Sequence, residues 1–140
     1  PNGAYAAVIP RWMQAMITDK DVIINGDGET SRDFCYVENV VQANVLAALA
    51  QGDAKGEVYN VAVGMRTTLN QLFGSIKDSL QRHGVAYNRL PIYQDFRAGD
   101  VRHSLADITR AKVLLGYCPT HELSEGIEKT VTWFLENSAA

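Results

Sequence analysis

The strongest constraint in this chain is an apolar segment near its middle. Between Val40 and Ala50 only Gln42 and Asn44 are polar. Valine, leucine and alanine at the remaining positions predict a helix over about 40–51 that is apolar nearly all round, and such a helix packs on more than one side. Asn39 is placed to cap it and Gly52 to end it. The next apolar run, 58–64, reads as a strand with both faces buried.

The flanking sequence alternates between helical and extended patterns. Ile9, Trp12, Met13, Met16 and Ile17 recur at helical spacing within 5–17, with Pro10 suited to a first turn. Residues 22–24 form a short strand candidate running into Asn25-Gly26-Asp27-Gly28, whose residue types favour a tight turn of the hairpin kind. A second extended run covers 34–37. Thr68 and Gln71 fit a capping box ahead of the stripe Leu69, Leu72, Phe73, Ile76 and Leu80, and Gly84 closes that helix. A short strand is expected within 86–93, near Pro91. Asp107 can cap a further helix with Ile108, Ala111 and Leu115 inward and Gly116 as its stop. Leu123, Ile127, Val131 and Phe134 mark a last helix, fraying over 137–140. The fold class expected is α/β.

Composition then narrows the function classes. At 140 residues, 46% hydrophobic and a formal charge of −3, the chain is one domain's worth of globular sequence rather than a disordered one. The mild acidic excess argues against nucleic-acid or membrane-surface binding through bulk charge. Cys35 and Cys118 lie far apart with no metal-ligand spacing, so neither a zinc site nor a disulfide framework is expected. No apolar run approaches the roughly 18 residues that span a bilayer, and a cytoplasmic setting is expected.

Two loops carry candidate chemistry. One is 26–34, glycine-rich and ending in Arg32-Asp33; the other is 95–103, which holds Arg97, Gly99 and Asp100. An arginine fork matches phosphate oxygens, and a carboxylate nearby can accept from ribose hydroxyls. The same residues could equally form structural ion pairs, Arg32 with Asp33 and Arg97 with Asp95 or Asp100. The loop 26–28 matches neither GxxxxGK[ST] nor GxGxxG. His103 has no partner identifiable from sequence. Cys35, Trp12 and Trp133 read as packing residues, and no Ser-His-Asp set or metal constellation is present in the pattern.

Taken in order, Gly26-Asp27-Gly28, Arg32-Asp33-Phe34-Cys35-Tyr36-Val37, Tyr59-Asn60-Val61-Ala62-Val63-Gly64, Arg97-Ala98-Gly99-Asp100-Val101-Arg102, Ala106-Asp107 and Leu114-Leu115-Gly116-Tyr117 resemble the C-terminal half of an extended short-chain dehydrogenase/reductase. The branch is that of the NAD-dependent UDP-sugar 4-epimerases. Residues 2–10 and 28–36 look most like the UDP-N-acetylglucosamine 4-epimerases, which interconvert UDP-N-acetylglucosamine and UDP-N-acetylgalactosamine.

The resemblance implies roles. Arg32 and Arg97 would grip the UDP diphosphate, Asp100 the uridine ribose, and Val8, Ile9, Val22 and Asn25 would enclose the uracil. Many relatives carry an aromatic residue where this chain has Asn25. In such enzymes tightly bound NAD oxidises the sugar at C4, the sugar turns over, and it is reduced on its other face. The glycine fingerprint for NAD and the Tyr-x-x-x-Lys pair lie in the family's N-terminal Rossmann domain. No matching pattern occurs in these 140 residues, so that domain is expected to be absent and Pro1 to correspond to an interior point of the full-length enzyme. The segment 38–64 would then lack the sheet on which it normally packs, and self-association through that surface is expected. The alternative is a stand-alone, non-catalytic UDP-binding or self-associating module. On either reading, an epimerase assay of the purified 140-residue chain with UDP-N-acetylglucosamine is expected to show no conversion.

Overall fold

The computed structural model describes residues 7–137. In chain order the elements are α1 (Val8–Ile17), β1 (Ile23–Asn25), β2 (Ser31–Arg32), α2 (Val37–Ala48), a 3-10 turn (Gly52–Ala54), β3 (Thr67–Thr68), α3 (Leu69–Arg82), β4 (Ile92–Gln94), α4 (Thr109–Leu115) and α5 (Leu123–Asn137). The chain divides into two units, the first built from 1–30, 68–102 and 127–140, the second from 31–67 and 103–126. The expected helix over 5–17 begins at Val8; Tyr5 and the fraying expected over 138–140 lie outside the described residues.

In the first unit the helical stripes meet in one core. Trp12, Met13 and Met16 of α1, Leu72, Ile76 and Leu80 of α3, and Ile127, Val131 and Phe134 of α5 are all buried, as three- and four-residue spacing requires. Phe73 makes edge contacts with Trp12 and Tyr87, at centroid distances of 6.3 and 6.2 Å. The polar tips of the buried rings are satisfied: Trp12 Nε1 donates to Ile23 O (3.2 Å) and the Tyr87 hydroxyl to Lys20 O (3.0 Å). The capping box opens α3, with Gln71 N donating to Thr68 Oγ1 and Thr68 N to Gln71 Oε1.

β1 pairs with β4 in parallel, Ile23 against Ile92, Ile24 against Tyr93 and Asn25 against Gln94. A parallel pair requires a crossover, and α3 lies within it. The loop after β1 is therefore not the hairpin turn its residue types suggested. The strand expected within 86–93 falls at its end, after Pro91.

The second unit departs further from expectation. Its core is small, formed by Ala43, Ala62, Ile108, Ala111 and Tyr117, with the Tyr117 hydroxyl donating to Ala62 O (2.8 Å). Gly116 ends α4 with φ +67°, as its position predicted. Residues 58–64 form no strand, and Val58 is 82% exposed. Helix α2 starts at Val37 rather than after Asn39, and ends before Gly52. It buries only Asn39 and Ala43. Val37, Val41, Val45 and Leu49, spaced four apart along one ridge, are exposed. An all-round apolar helix should be covered on more than one side; this one is covered on one.

Asn39 is accordingly not a cap. It is fully buried, its Nδ2 donates to His121 O (2.7 Å), and its Oδ1 accepts from Thr120 N (2.9 Å) and His121 N (3.1 Å). The Tyr36 and His121 rings sit 5.2 Å apart beside this clamp. Asn39→Ala would leave three backbone groups of the 120–121 loop without partners, each costing about 1–3 kcal/mol. Urea denaturation is expected to show a loss of about 2–4 kcal/mol.

Candidate functional site

The loop that leaves β1 is shaped by two bare backbone positions. Gly26 and Gly28 both have φ +79°, the left-handed region that glycine enters at least cost. A Cβ on Gly26 would collide with the Phe96 ring, and one on Gly28 with the Asn70 side chain. Gly26 N donates to Gln94 O (2.8 Å), extending the β1–β4 ladder by one bond. Asn70, in the first turn of α3, binds the loop from below: its N donates to Gly28 O (3.0 Å), its Nδ2 to Asp27 O (3.2 Å) and Glu29 Oε1 (2.7 Å). The Tyr93 hydroxyl of β4 closes this network on Asn70 Oδ1 (2.9 Å).

Asp27 faces the second loop. Its Oδ2 accepts from Arg102 Nη2 at 2.6 Å, and its Oδ1 from Glu29 N at 2.9 Å. The Arg102 guanidinium lies over the Phe96 ring, 5.1 Å from its centroid. Arg102 and Phe96 were both within the candidate loop, yet no role followed from sequence. The available signal was an acid between two glycines on one loop and an arginine following a glycine on the other.

The expected site residues fall as follows. Asn25 ends β1 and is half-buried; Val8 and Ile9 are half-buried in the first turn of α1. The Val22 side chain is 1% exposed, so it is a core residue, and its carbonyl accepts from Ile92 N (2.8 Å). Arg97 and Asp100 are exposed and share one turn, Asp100 N donating to Arg97 O (3.2 Å). Among the described residues Arg97 makes no ion pair with Asp95 or Asp100. All of these belong to the first unit.

Arg32 belongs to the second unit, where its Nη1 donates to Ser31 O at 2.8 Å. Its neighbour Asp33 forms no ion pair with it among the described residues. Asp33 instead takes backbone amides, Oδ1 from Val63 N (3.1 Å) and Oδ2 from Gly64 N (3.0 Å) and Ala106 N (3.4 Å). This replaces the strand pairing expected for 58–64, and it makes Asp33 a structural carboxylate rather than a ribose acceptor. His103 does have a partner, with Nδ1 2.9 Å from the buried Ser31 Oγ. Burial pushes the Cys35 thiol up, away from the reactive thiolate, in keeping with a packing role.

Residues 1–62 match the NAD dependent epimerase/dehydratase family. It is 36% identical, over 138 residues, to a putative UDP-glucose 4-epimerase of Methanocaldococcus jannaschii, a match covering 99% of this chain and 42% of that protein. Among solved structures, the UDP-glucose 4-epimerase of Thermotoga maritima with UDP-glucose superposes with a TM-score of 0.87 at 39% identity, covering 99% of this chain and 42% of that one. The UDP-N-acetylglucosamine 4-epimerase of Methanobrevibacter ruminantium, in complex with UDP-N-acetylmuramic acid, gives 0.82 at 38% identity, covering 96% and 41%. The chain thus spans about two fifths of the length of these relatives. No helix among the described residues is long and apolar enough to cross a membrane.

The Asp27–Arg102 contact has a definite pH signature. The hydrogen bond from Arg102, then that from Glu29 N, holds the Asp27 carboxyl below its ordinary value. A depressed carboxylate favours the folded loop above its unfolded pKa, and the contribution is lost as pH falls through the folded one. Carboxyl-carbon NMR titration of Asp27 is expected to show a midpoint below that of an ordinary aspartate. That midpoint should move upward in Arg102→Ala.

Proposed function

We propose that this chain is the UDP-sugar-binding part of an NAD-dependent nucleotide-sugar 4-epimerase, acting in the longer protein on UDP-N-acetylglucosamine and UDP-N-acetylgalactosamine. The observation that carries the reading is the exposed turn from Arg97 to Asp100, which begins three residues after Gln94, the end of β4. Gln94 pairs with Asn25, so a cation, a carboxylate and the glycine loop follow from one strand pair. Arg97 is assigned to the diphosphate and Asp100 to the ribose. Asn25, Val8 and Ile9 are assigned to the base region, with Val22 supporting them from the core.

Neither loop matches a dinucleotide fingerprint, and no residue of this chain is assigned to NAD. No step through NAD is derived from these residues. Their own work is to bind and orient the nucleotide, which is where substrate binding energy is gathered. The exposed ridge of Val37, Val41, Val45 and Leu49 supports association through that face, since contiguous apolar patches are uncommon on stable monomers.

Calorimetric titration of the chain with UDP tests the assignment. Arg97→Ala is expected to weaken UDP by about 10–100-fold, the worth of charge-assisted hydrogen bonds. The wild-type affinity should fall as salt rises, because phosphate pairing is screened. Equal affinity in wild type and in Arg97→Ala would discard the diphosphate assignment.

A further inference from the structure

Asn25 and Gly26 form one of the chain's two Asn-Gly steps; the other, Asn2-Gly3, lies outside the described residues. Such a step cyclises readily, because a glycine without Cβ lets its amide nitrogen reach the carboxamide of the asparagine before it. Asparagine is a heat-labile residue for this reason.

In the folded chain the nucleophile is engaged. Gly26 N donates to Gln94 O at 2.8 Å, and the β1–β4 ladder holds Asn25 in register with Gln94. The nitrogen attacks only after giving up the proton that makes this bond, so the ladder has to open first. Around it the contacts close in a ring. Phe96 fills the space over Gly26, and the Arg102 guanidinium lies 5.1 Å from the Phe96 centroid. Asp27, the residue after Gly26, binds Arg102 at 2.6 Å. Phe96 is 57% exposed, so its hold on Gly26 depends on Arg102 and on the bare backbone beneath it rather than on burial.

We infer that Asn25 is a site of spontaneous deamidation, gated by the clamp of Phe96 and Arg102 over Gly26. The inference depends on no ligand assignment. In the opened loop Gly26 N attacks Asn25 Cγ. The N–Cγ bond forms, the Cγ–Nδ2 bond breaks, and Nδ2 leaves as ammonia with the proton that Gly26 N gave up. Water then opens the five-membered imide at one of its two carbonyls, giving aspartate or isoaspartate; nothing is oxidised or reduced. Isoaspartate adds a carbon to the backbone at the end of β1, so the pairing with Gln94 cannot re-form. Aspartate adds a negative charge to a loop that already carries Asp27 and Glu29.

The experiment incubates the whole chain in warm, mildly alkaline buffer and follows its tryptic peptide 21–32 by mass; Asn25 is the one asparagine in that peptide. Asp27-Gly28 can form the same imide only by losing water, and its hydrolysis returns the original mass, so the mass change reports Asn25 alone. The free peptide 21–32 sets the unprotected rate. The folded chain is expected to react about 30-fold more slowly or less, as befits a local opening that breaks a ladder bond and a clamp. Phe96→Ala should recover about 5–30-fold of that protection, and Arg102→Ala about 2–5-fold, the worth of an exposed cation–π contact. Phe96→Tyr, which keeps the ring, should match the wild type. Amide exchange at Gly26 should rise with the deamidation rate, while Ile76 and Leu80, fully buried in α3, exchange as before. A wild-type rate equal to that of the free peptide overturns the inference, and so do unchanged rates in Phe96→Ala and Arg102→Ala. Equal acceleration of exchange at Gly26, Ile76 and Leu80 overturns it too, because the reaction would then follow global unfolding rather than the clamp.

Discussion

Everything in the first unit that bears on function hangs from two missing side chains. Gly26 and Gly28 adopt positive φ and leave room for Phe96 and Asn70. Through Asn70 the loop is fixed to the first turn of α3, and through Gly26 N it is fixed to β4. A residue with a Cβ at either place would meet both backbone strain and a filled space. The loop's rigidity is therefore a property of absent atoms, and the exposed turn of Arg97 and Asp100 follows from the strand this loop extends.

The second unit solves a different problem. Its core is three alanines with Ile108 and Tyr117, and its loops are tied by polar side chains as well. Two polar side chains do that work. The Asp33 carboxylate collects amides from 63, 64 and 106, and the Asn39 carboxamide collects groups from 120 and 121. Each joins segments far apart in sequence, and each saturates backbone groups that no strand is present to pair.

Those two residues also show what sequence could and could not convey. The helices α1, α3, α4 and α5 were legible from their stripes, α3 also from its box of Thr68 with Gln71 and α4 from Gly116 after Leu115, though its N-cap is Ile108 and not the expected Asp107. Asn39 misled because a polar residue at the head of an apolar run has the form of a cap, while its actual partners lie 81 and 82 residues away. Residues 58–64 have strand composition, but composition cannot tell whether a partner strand is there to pair with them. Asp33 was read beside Arg32 because they are neighbours in sequence; its partners come from elsewhere in the unit. The Arg97 and Asp100 turn was legible as a charged glycine loop. The Arg102–Phe96–Gly26 stack was not, because its members are joined by a crossover that no local pattern announces.

The parallel pairing of β1 with β4 carries a kinetic consequence. About half of the chain separates Ile23 from its partner Ile92, so the pair closes only after a large entropic loss. During synthesis β1 leaves the ribosome well before β4 exists, and Ile24, fully buried in the finished unit, stays without its neighbour until then. The glycine loop is made early, but the contact that fills the space over Gly26 can form only once Phe96 has emerged.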